Sequence, residues 1–407
     1  MNTVDSIENK SRNVGEILFF SLFIPWIAIV ILSQTTLFGA YIYYHCYGLW
    51  DVFLHFVPLF IVILKVLLVD KIDLVKKLLL LLLLSVVTVQ FLNITYDDDL
   101  FLCVLFVVSA YGIDFRKILK TYLIESVILT AITTFAAVVG WIPNIVNHQY
   151  GHTRYALGSI WCTDYSAKIF FLLLICLYLY SKKMKWFHWI GIIAICSTVF
   201  AFTFGKLDFS CMLLAIAVFF FHEWMQKNSG KLKEKWEVLL EKLAVLFTPC
   251  AVLLMTVITL VYTPSNSVLF KMNKMLSGRL GLGHNAFSNI KFNMIGQDIV
   301  WVGMGYISND SVPEGYNFVD CSYLNILFTF GLLVILALIA AFVYLAYKNK
   351  KDHRFILVVA LISLNCMVAH HFIELAYNPF WAALLASMPV VSTKAIQNTN
   401  QTEEQKA

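Results

Sequence analysis

Apolar residues in this chain are collected in long runs, and short polar links between the runs carry most of the charge. A helix needs about 20 apolar residues to cross the ~30 Å hydrocarbon core of a bilayer. The pattern therefore predicts about twelve membrane spans, near 17–33, 52–69, 78–93, 99–113, 119–141, 164–180, 187–203, 207–222, 243–262, 321–347, 355–373 and 376–392.

Composition favours the same class. Hydrophobic residues make up 60% of the 407 residues and charged residues 14%, whereas soluble domains average roughly 45–50% and about 25%. We expect an all-α fold, a polytopic transmembrane helical bundle, and not a string of soluble domains. The nine cysteines lie mostly inside apolar runs without a C-x-x-C pair, which is typical of small buried side chains.

The runs divide the chain into five regions. They are a cytoplasmic N-terminal tail (1–16), the first part of the bundle with about nine spans (17–262), a large extracytoplasmic loop carrying short amphipathic helices (263–320), the last part of the bundle with three spans (321–392), and a polar, disordered cytoplasmic tail (393–407). An aromatic segment at 35–50 is interpreted either as an outer interfacial segment or as an extension of a neighbouring helix.

Lysine and arginine residues indicate the orientation. With the N-terminus in the cytoplasm, every inner link carries at least two basic residues. Cytoplasmic loops are enriched in Lys and Arg, so both termini are predicted to be cytoplasmic. The outer segments then hold six basic residues, Arg154, Lys206, Lys271, Lys274, Arg279 and Lys291. The inner links contain no G-x-x-x-x-G-K-[ST] and are too short for a nucleotide-binding domain, and no basic patch suits nucleic acid.

Ionisable residues within or beside spans are expensive, about 2.5–3.5 kcal/mol at a helix centre, and are functional candidates for that reason. Most of the unusual ones gather near the predicted outer face. Arg154, Lys206 and Arg279 could clamp a pyrophosphate, because a guanidinium fork gives two parallel hydrogen bonds to phosphate oxygens. Lys291 lies in the same predicted loop, 263–320, as Arg279. Asp320, Glu374 or His284 could take a proton from a sugar hydroxyl.

Each candidate also has a structural explanation. These explanations are the wet face of a surface helix for Lys271 and Lys274, a turn cap for Arg279, an ion pair between Lys206 and Asp208, an N-cap for Asp320, and interfacial hydrogen bonding for His370 and His371. The pair His148 and His152 has the spacing of a helical zinc site, but it follows Pro143 in a loop and lacks the Glu of H-E-x-x-H. We therefore predict no metal site.

Several short motifs follow one another along the chain. They are Arg154-Tyr155-Ala156-Leu157-Gly158, Phe202-Thr203-Phe204-Gly205-Lys206, Ser277-Gly278-Arg279, Val302-Gly303-Met304-Gly305, Phe318-Val319-Asp320-Cys321-Ser322-Tyr323, Phe330-Gly331, and Glu374 with Asn378-Pro379. In this order the chain resembles the Wzy-type oligosaccharide repeat-unit polymerases of bacterial capsule, exopolysaccharide and O-antigen pathways, particularly those of Gram-positive clusters. The likeness covers roughly residues 10–392.

The resemblance implies a membrane glycosyltransferase of GT-C type in the bacterial cytoplasmic membrane. Such enzymes join repeat units carried on undecaprenyl pyrophosphate, outside the membrane and without a cofactor, beside a flippase and a chain-length regulator. By motif position, Arg154 and Arg279 would contact phosphate and Asp320 would be a candidate base. Many relatives have Ser-Arg or Thr-Arg where Gly205-Lys206 stands. Lysine keeps the positive charge, but it lacks the planar guanidinium that makes two parallel hydrogen bonds.

Three other functions remain open. A ligase-like transferase would attach the glycan to another acceptor, and His284 in the loop is compatible with it. A transporter or flippase of lipid-linked sugars would be expected to show repeats and midplane polar sites, whereas the charges here gather near the outer face. A non-catalytic scaffold would be expected to carry fewer outer Lys and Arg residues and fewer loop aromatics.

Overall fold

The structure of the chain is a computed structural model that describes residues 3–94, 97–149, 151–227, 230–291, 293–305 and 313–388. The helices are α1 (Thr3–Ser33), α2 (Tyr43–Asp51), α3 (Val57–Leu64), α4 (Leu74–Asn93), α5 (Asp99–Ser109), α6 (Phe115–Val138), α7 (Cys162–Tyr180), α8 (Trp186–Thr203), α9 (Lys206–Lys227), α10 (Lys231–Leu243), α11 (Phe247–Leu260), α12 (Ser267–Met275), α13 (Arg279–Asn289), α14 (Ser322–Phe330), α15 (Leu332–Lys348) and α16 (His353–Asn365). One antiparallel hairpin, β1 (Val146–Gln149) and β2 (His152–Tyr155), precedes α7.

The described residues contain seven helical segments that are long and apolar enough to cross a membrane. They are Val14–Ser33, Phe38–Val69, Leu74–Asn93, Phe115–Val138, Cys162–Lys183, Trp186–Thr203 and Lys206–Lys227. The pair α10 and α11, bent by 58°, makes an eighth if it is one span, and α5, α15 and α16 are shorter apolar helices. The described residues therefore form an all-α helical protein with several helices able to span a membrane, while the count of twelve spans is not confirmed.

Two segments near the N-terminus differ from the simplest division of the sequence. The predicted tail over 1–16 is, from Thr3 onward, the first part of α1. The aromatic segment at 35–50 is helical from Phe38 and belongs to the apolar segment Phe38–Val69, in which π-helical turns join α2 and α3 and the backbone is kinked at Cys46 (φ −147°). The segment thus extends the neighbouring helix, across a kink.

The predicted span at 321–347 is wrong as a single helix, because it breaks at Gly331 into α14 and α15. Gly331 has φ +89°, and a Cβ there would lie 2.3 Å from the backbone nitrogen of Gly296. The chain at Gly296 thus packs directly against the break, and only glycine allows both the positive φ and this close approach.

The predicted helical span at 376–392 is also wrong. Its described part has one 3-10 helix, Pro379–Leu384, whose side chains are buried on almost all sides. Hydropathy alone cannot distinguish an apolar segment that faces lipid from one that is enclosed by protein. Irregular backbone is tolerated at membrane depth only when protein surrounds it. Residues 389–392 and the predicted tail 393–407 lie outside the described residues.

Hydrogen bonds join the connections between helices into two groups. The first group, the lysine-rich end, includes the bonds Lys65 Nζ to Tyr111 O, Lys117 Nζ to Glu16, Tyr178 Oη to Asp352 and Ser387 N to Ile113 O. The second group, the site end, includes Thr36 Oγ1 to Pro143 O, Gln90 Nε2 to Phe330 O, Arg154 Nε to Thr203 O and Arg279 Nε to Val368 O. Carboxylates cap three helices that start at the lysine-rich end, Asp73 for α4, Asp114 for α6 and Asp352 for α16.

Candidate functional site

A small cavity at the site end brings together four of the residues singled out in the sequence. We call it the basic cavity, and its volume is about 120 Å³. Its lining includes Arg154, Lys206, Arg279 and Asp320 together with Gln149, Trp161, Thr163, Phe204, Gly205, Leu207, Asp208, Ser277, Leu282, Met304 and Tyr316. Three basic and two acidic side chains, contributed by four separate chain segments, therefore face one space.

The β1–β2 hairpin, which was not predicted, positions Arg154. The residue is only 6% exposed, and strand pairing sets it opposite Asn147. Its Nε donates to Thr203 O at 2.9 Å and its Nη1 to Gln149 Oε1 at 2.5 Å. The guanidinium is therefore held against the last turn of α8, at the wall of the cavity.

Lys206 is the first residue of α9, so the helix N-terminus and the lysine lie beside the same cavity. Its ammonium lies 4.9 Å from the centre of the Phe204 ring, and helix N-termini favour anions. In the same first turn of α9, Asp208 accepts a hydrogen bond from Ser166 Oγ at 2.6 Å and another from Asn365 Nδ2 at 3.2 Å. These bonds give Asp208 a role in joining α7, α9 and α16.

Arg279 opens α13 directly after Gly278, which has φ +91°. Its Nε donates to Val368 O at 2.5 Å, and its Nη2 lies 3.6 Å from Asp320 Oδ1. The N-cap of α14 is Cys321, so Asp320 faces the arginine and does not cap the helix. Arg279 thus connects the basic cavity to the turn that follows α16.

A second cavity, of about 310 Å³, lies on the other side of that turn. We call it the acidic cavity, and its lining is Gln34, Asp97, Asp98, Asp99, Trp301, Phe318, Asn325, Ile326, Phe330, His370, Ile373 and Glu374. The described lining contains no lysine or arginine. Asp98 accepts a hydrogen bond from His55 at 2.6 Å, and burial raises the pKa of Asp97 to about 7.

Glu374 lies in the irregular turn after α16 and is only 5% exposed. His371 Nδ1 donates to its Oε2 at 2.9 Å, and His370 Nε2 lies 3.3 Å from its Oε1. Glu374 is thus a buried carboxylate held by two imidazoles, and it also lines the acidic cavity, where it can reach a ligand.

The same turn offers the one group of metal-ligand side chains found among the described residues. Ligand atoms of Asp164, His370 and His371 all lie within 4.8 Å of one another. Two imidazoles and a carboxylate could hold a transition-metal cation. Lys168 lies nearby, with its amine donating to Ala376 O and 4.1 Å from the Tyr377 ring. The absence of a metal stays a prediction from the sequence.

Two predicted site residues lie apart from both cavities. Among the described residues, His284 is not in either lining, and its Nδ1 lies 3.2 Å from Thr259 O. Lys291 is also outside both linings, exposed beyond α13, and its backbone oxygen accepts from Gln297 Nε2. His148 and His152 lie on paired strands, so the helix that zinc spacing would require is not formed there.

The sequence did not identify the acidic cavity. Asp97, Asp98 and Asp99 were not among the candidate site residues, although three adjacent carboxylates between spans are an unusual feature. Asp164 begins the predicted span 164–180. An ionisable residue in a span costs free energy, so this position could have been recognised as a functional candidate. Asn325 gave no such signal, since its position depends on how α14 packs.

Comparisons with models of known protein families, with curated proteins and with solved structures find no match for this chain. The fold and the site therefore define a class only, a membrane-embedded helical protein with a basic and an acidic cavity at one end.

Proposed function

We propose that this protein polymerises lipid-linked oligosaccharide repeat units into a surface polysaccharide at the outer face of a bacterial cytoplasmic membrane. The observation that carries the proposal is the basic cavity. Arg154, Lys206, Arg279 and Asp320 come from distant parts of the sequence, yet they surround one space. The resemblance to Wzy-type polymerases selects the same residues from their motifs, independently of their positions in the structure.

The chemistry of the cavity suits a pyrophosphate leaving group. Arg154 and Arg279 are held by backbone carbonyls, so their guanidinium groups are oriented before a ligand arrives. Charge builds on the pyrophosphate as the glycosidic bond breaks, and fixed donors that meet this charge lower the barrier. Departure of a pyrophosphate supplies the driving force, so the reaction needs neither ATP nor a nucleotide sugar.

The predicted topology agrees with this role. The lysine-rich end corresponds to the cytoplasmic side by the positive-inside pattern, and both cavities lie at the other end. We propose twelve crossings, of which the last is the irregular buried segment from Glu374 at the acidic cavity to Ser387, whose backbone N–H bonds to Ile113. Both termini would then be cytoplasmic.

The test is a deletion strain complemented with the wild-type chain or with Arg279→Ala at equal membrane levels. We expect Arg279→Ala to abolish polymer and to leave single repeat units on lipid at the outer face. Normal polymer length with failed attachment would instead indicate a ligase-like transferase. Single units retained at the cytoplasmic face would indicate a flippase and overturn the proposal.

A further inference from the structure

The turn after α16 stands between the two cavities. Arg279, in the basic cavity, binds Val368 O in this turn, and six residues later Glu374 lines the acidic cavity. The ring of Phe318, which lines the acidic cavity two residues before Asp320, lies 4.9 Å from His370 in an edge contact. One short segment therefore joins the basic cavity, which suits anions, to the acidic cavity.

The acidic cavity has the composition of a carbohydrate site and not of a phosphate site. Carboxylates accept hydrogen bonds from hydroxyl groups, and side-chain amides both accept and donate them. Aromatic side chains such as Trp301 and Phe318 supply apolar surface. Four carboxylates without a lysine or arginine in the described lining would repel a pyrophosphate. The volume of about 310 Å³ is within the range of ligand pockets.

The amide of Asn325 adds a hydrogen-bonding group to the cavity. Asn325 is only 9% exposed and lines the cavity, and its Nδ2 donates to Val319 O at 3.4 Å. No hydrogen bond from the described part of the chain reaches its Oδ1. This oxygen is therefore available to accept a hydrogen bond from a hydroxyl group in the cavity.

We propose that the acidic cavity binds the terminal sugar of the acceptor chain, a neutral or amino sugar, and that Glu374 takes the proton from the attacking hydroxyl. The hydroxyl oxygen forms the new bond to the anomeric carbon of the donor. The bond from that carbon to the pyrophosphate oxygen breaks, and its electron pair leaves with the lipid pyrophosphate in the basic cavity. His370 and His371 are positioning residues that hold the Glu374 carboxylate.

This assignment rests on the proposed polymerase function, but its test is a separate binding measurement. The probes are inorganic pyrophosphate and the repeat-unit oligosaccharide released by mild acid from the lipid-linked units of the deletion strain. Binding is measured by calorimetry on full-length protein in nanodiscs. The variants are Asp99→Asn and Glu374→Gln for the acidic cavity and Arg154→Lys for the basic cavity, with Asp298→Asn and Glu314→Gln as matched controls outside both linings.

We expect Asp99→Asn to weaken oligosaccharide binding at least about tenfold and to leave pyrophosphate binding unchanged, with the reverse pattern in Arg154→Lys. Glu374→Gln keeps the melting temperature and lowers the rate of polymer formation about 100-fold or more, with a smaller effect on KM. Oligosaccharide binding that is equal in wild type, Asp99→Asn and the controls would overturn the acceptor assignment and leave the pyrophosphate site intact. Full activity in Glu374→Gln would overturn the role of Glu374.

Discussion

The guanidinium of Arg279 lies 3.6 Å from the carboxylate of Asp320, and both side chains face the basic cavity. The same arginine donates to Val368 O, two residues before His370. Arg279 is thus shared by the cavity and by the turn that carries Glu374. An anion that enters the cavity would compete with Asp320 for the arginine. Because the arginine also contacts the turn, a shift of its guanidinium would affect the turn.

Asp320→Asn separates two roles for this carboxylate. If Asp320 only balances Arg279, we expect pyrophosphate binding to tighten by up to about fivefold at low salt, because a partly exposed ion pair contributes up to ~1 kcal/mol. Polymer formation should stay within about tenfold of wild type. A loss of 100-fold or more, with normal binding and with Asp298→Asn unaffected, would make Asp320 the base and contradict the role given to Glu374.

Arg154→Lys tests whether the guanidinium fork matters. Lysine keeps the charge but cannot make the bonds to both Thr203 O and Gln149 Oε1. We expect pyrophosphate binding to weaken about tenfold, as judged by calorimetry, with a melting temperature close to wild type. Unchanged affinity would show that Arg154 supports the hairpin and not the ligand. Lys271→Arg on the exposed helix α12 is the control and should change neither quantity.

Gly205→Ala should destabilise the protein. An added Cβ would lie 2.4 Å from Ser166 Oγ, the atom that donates to Asp208. We expect a loss of about 1–3 kcal/mol, seen as a lower melting temperature in detergent. Gly191→Ala in α8 is the matched control, because nothing lies within 4 Å of its added Cβ, and a helical alanine is favoured over glycine. Equal melting temperatures of the two variants would contradict the packing described around Asp208.

The acidic cavity should make stability depend on pH through Asp97. Burial raises its pKa to about 7, above the value of about 3.9 in an unfolded chain. The folded state binds this proton more tightly, so the stabilisation is complete below about pH 4 and is lost as the pH rises to about 7. We expect the melting temperature to fall over this range and Asp97→Asn to reduce the fall. An identical fall in the variant would contradict the burial of this carboxylate.

Hydropathy was sufficient to predict the class of fold, because apolar runs that must face lipid are visible in the sequence. It was insufficient for the chain after α16, where apolar residues are enclosed by protein and the backbone is irregular. Ionisable residues beside predicted spans identified four members of the basic cavity, Arg154, Lys206, Arg279 and Asp320. Glu374 was identified as a candidate, but the acidic cavity around it was missed because Asp99 and Asn325 are brought to it only by the packing of distant segments.

The most direct test of the account uses purified full-length protein in liposomes, supplied with lipid-linked repeat units extracted from the deletion strain. The account predicts a ladder of polymer and release of lipid pyrophosphate without ATP, a nucleotide sugar or any other protein. Arg279→Ala should give no ladder, and Glu314→Gln should behave like wild type. Transfer of single units across the bilayer without any bond formation, by wild-type protein that is folded, would contradict the account.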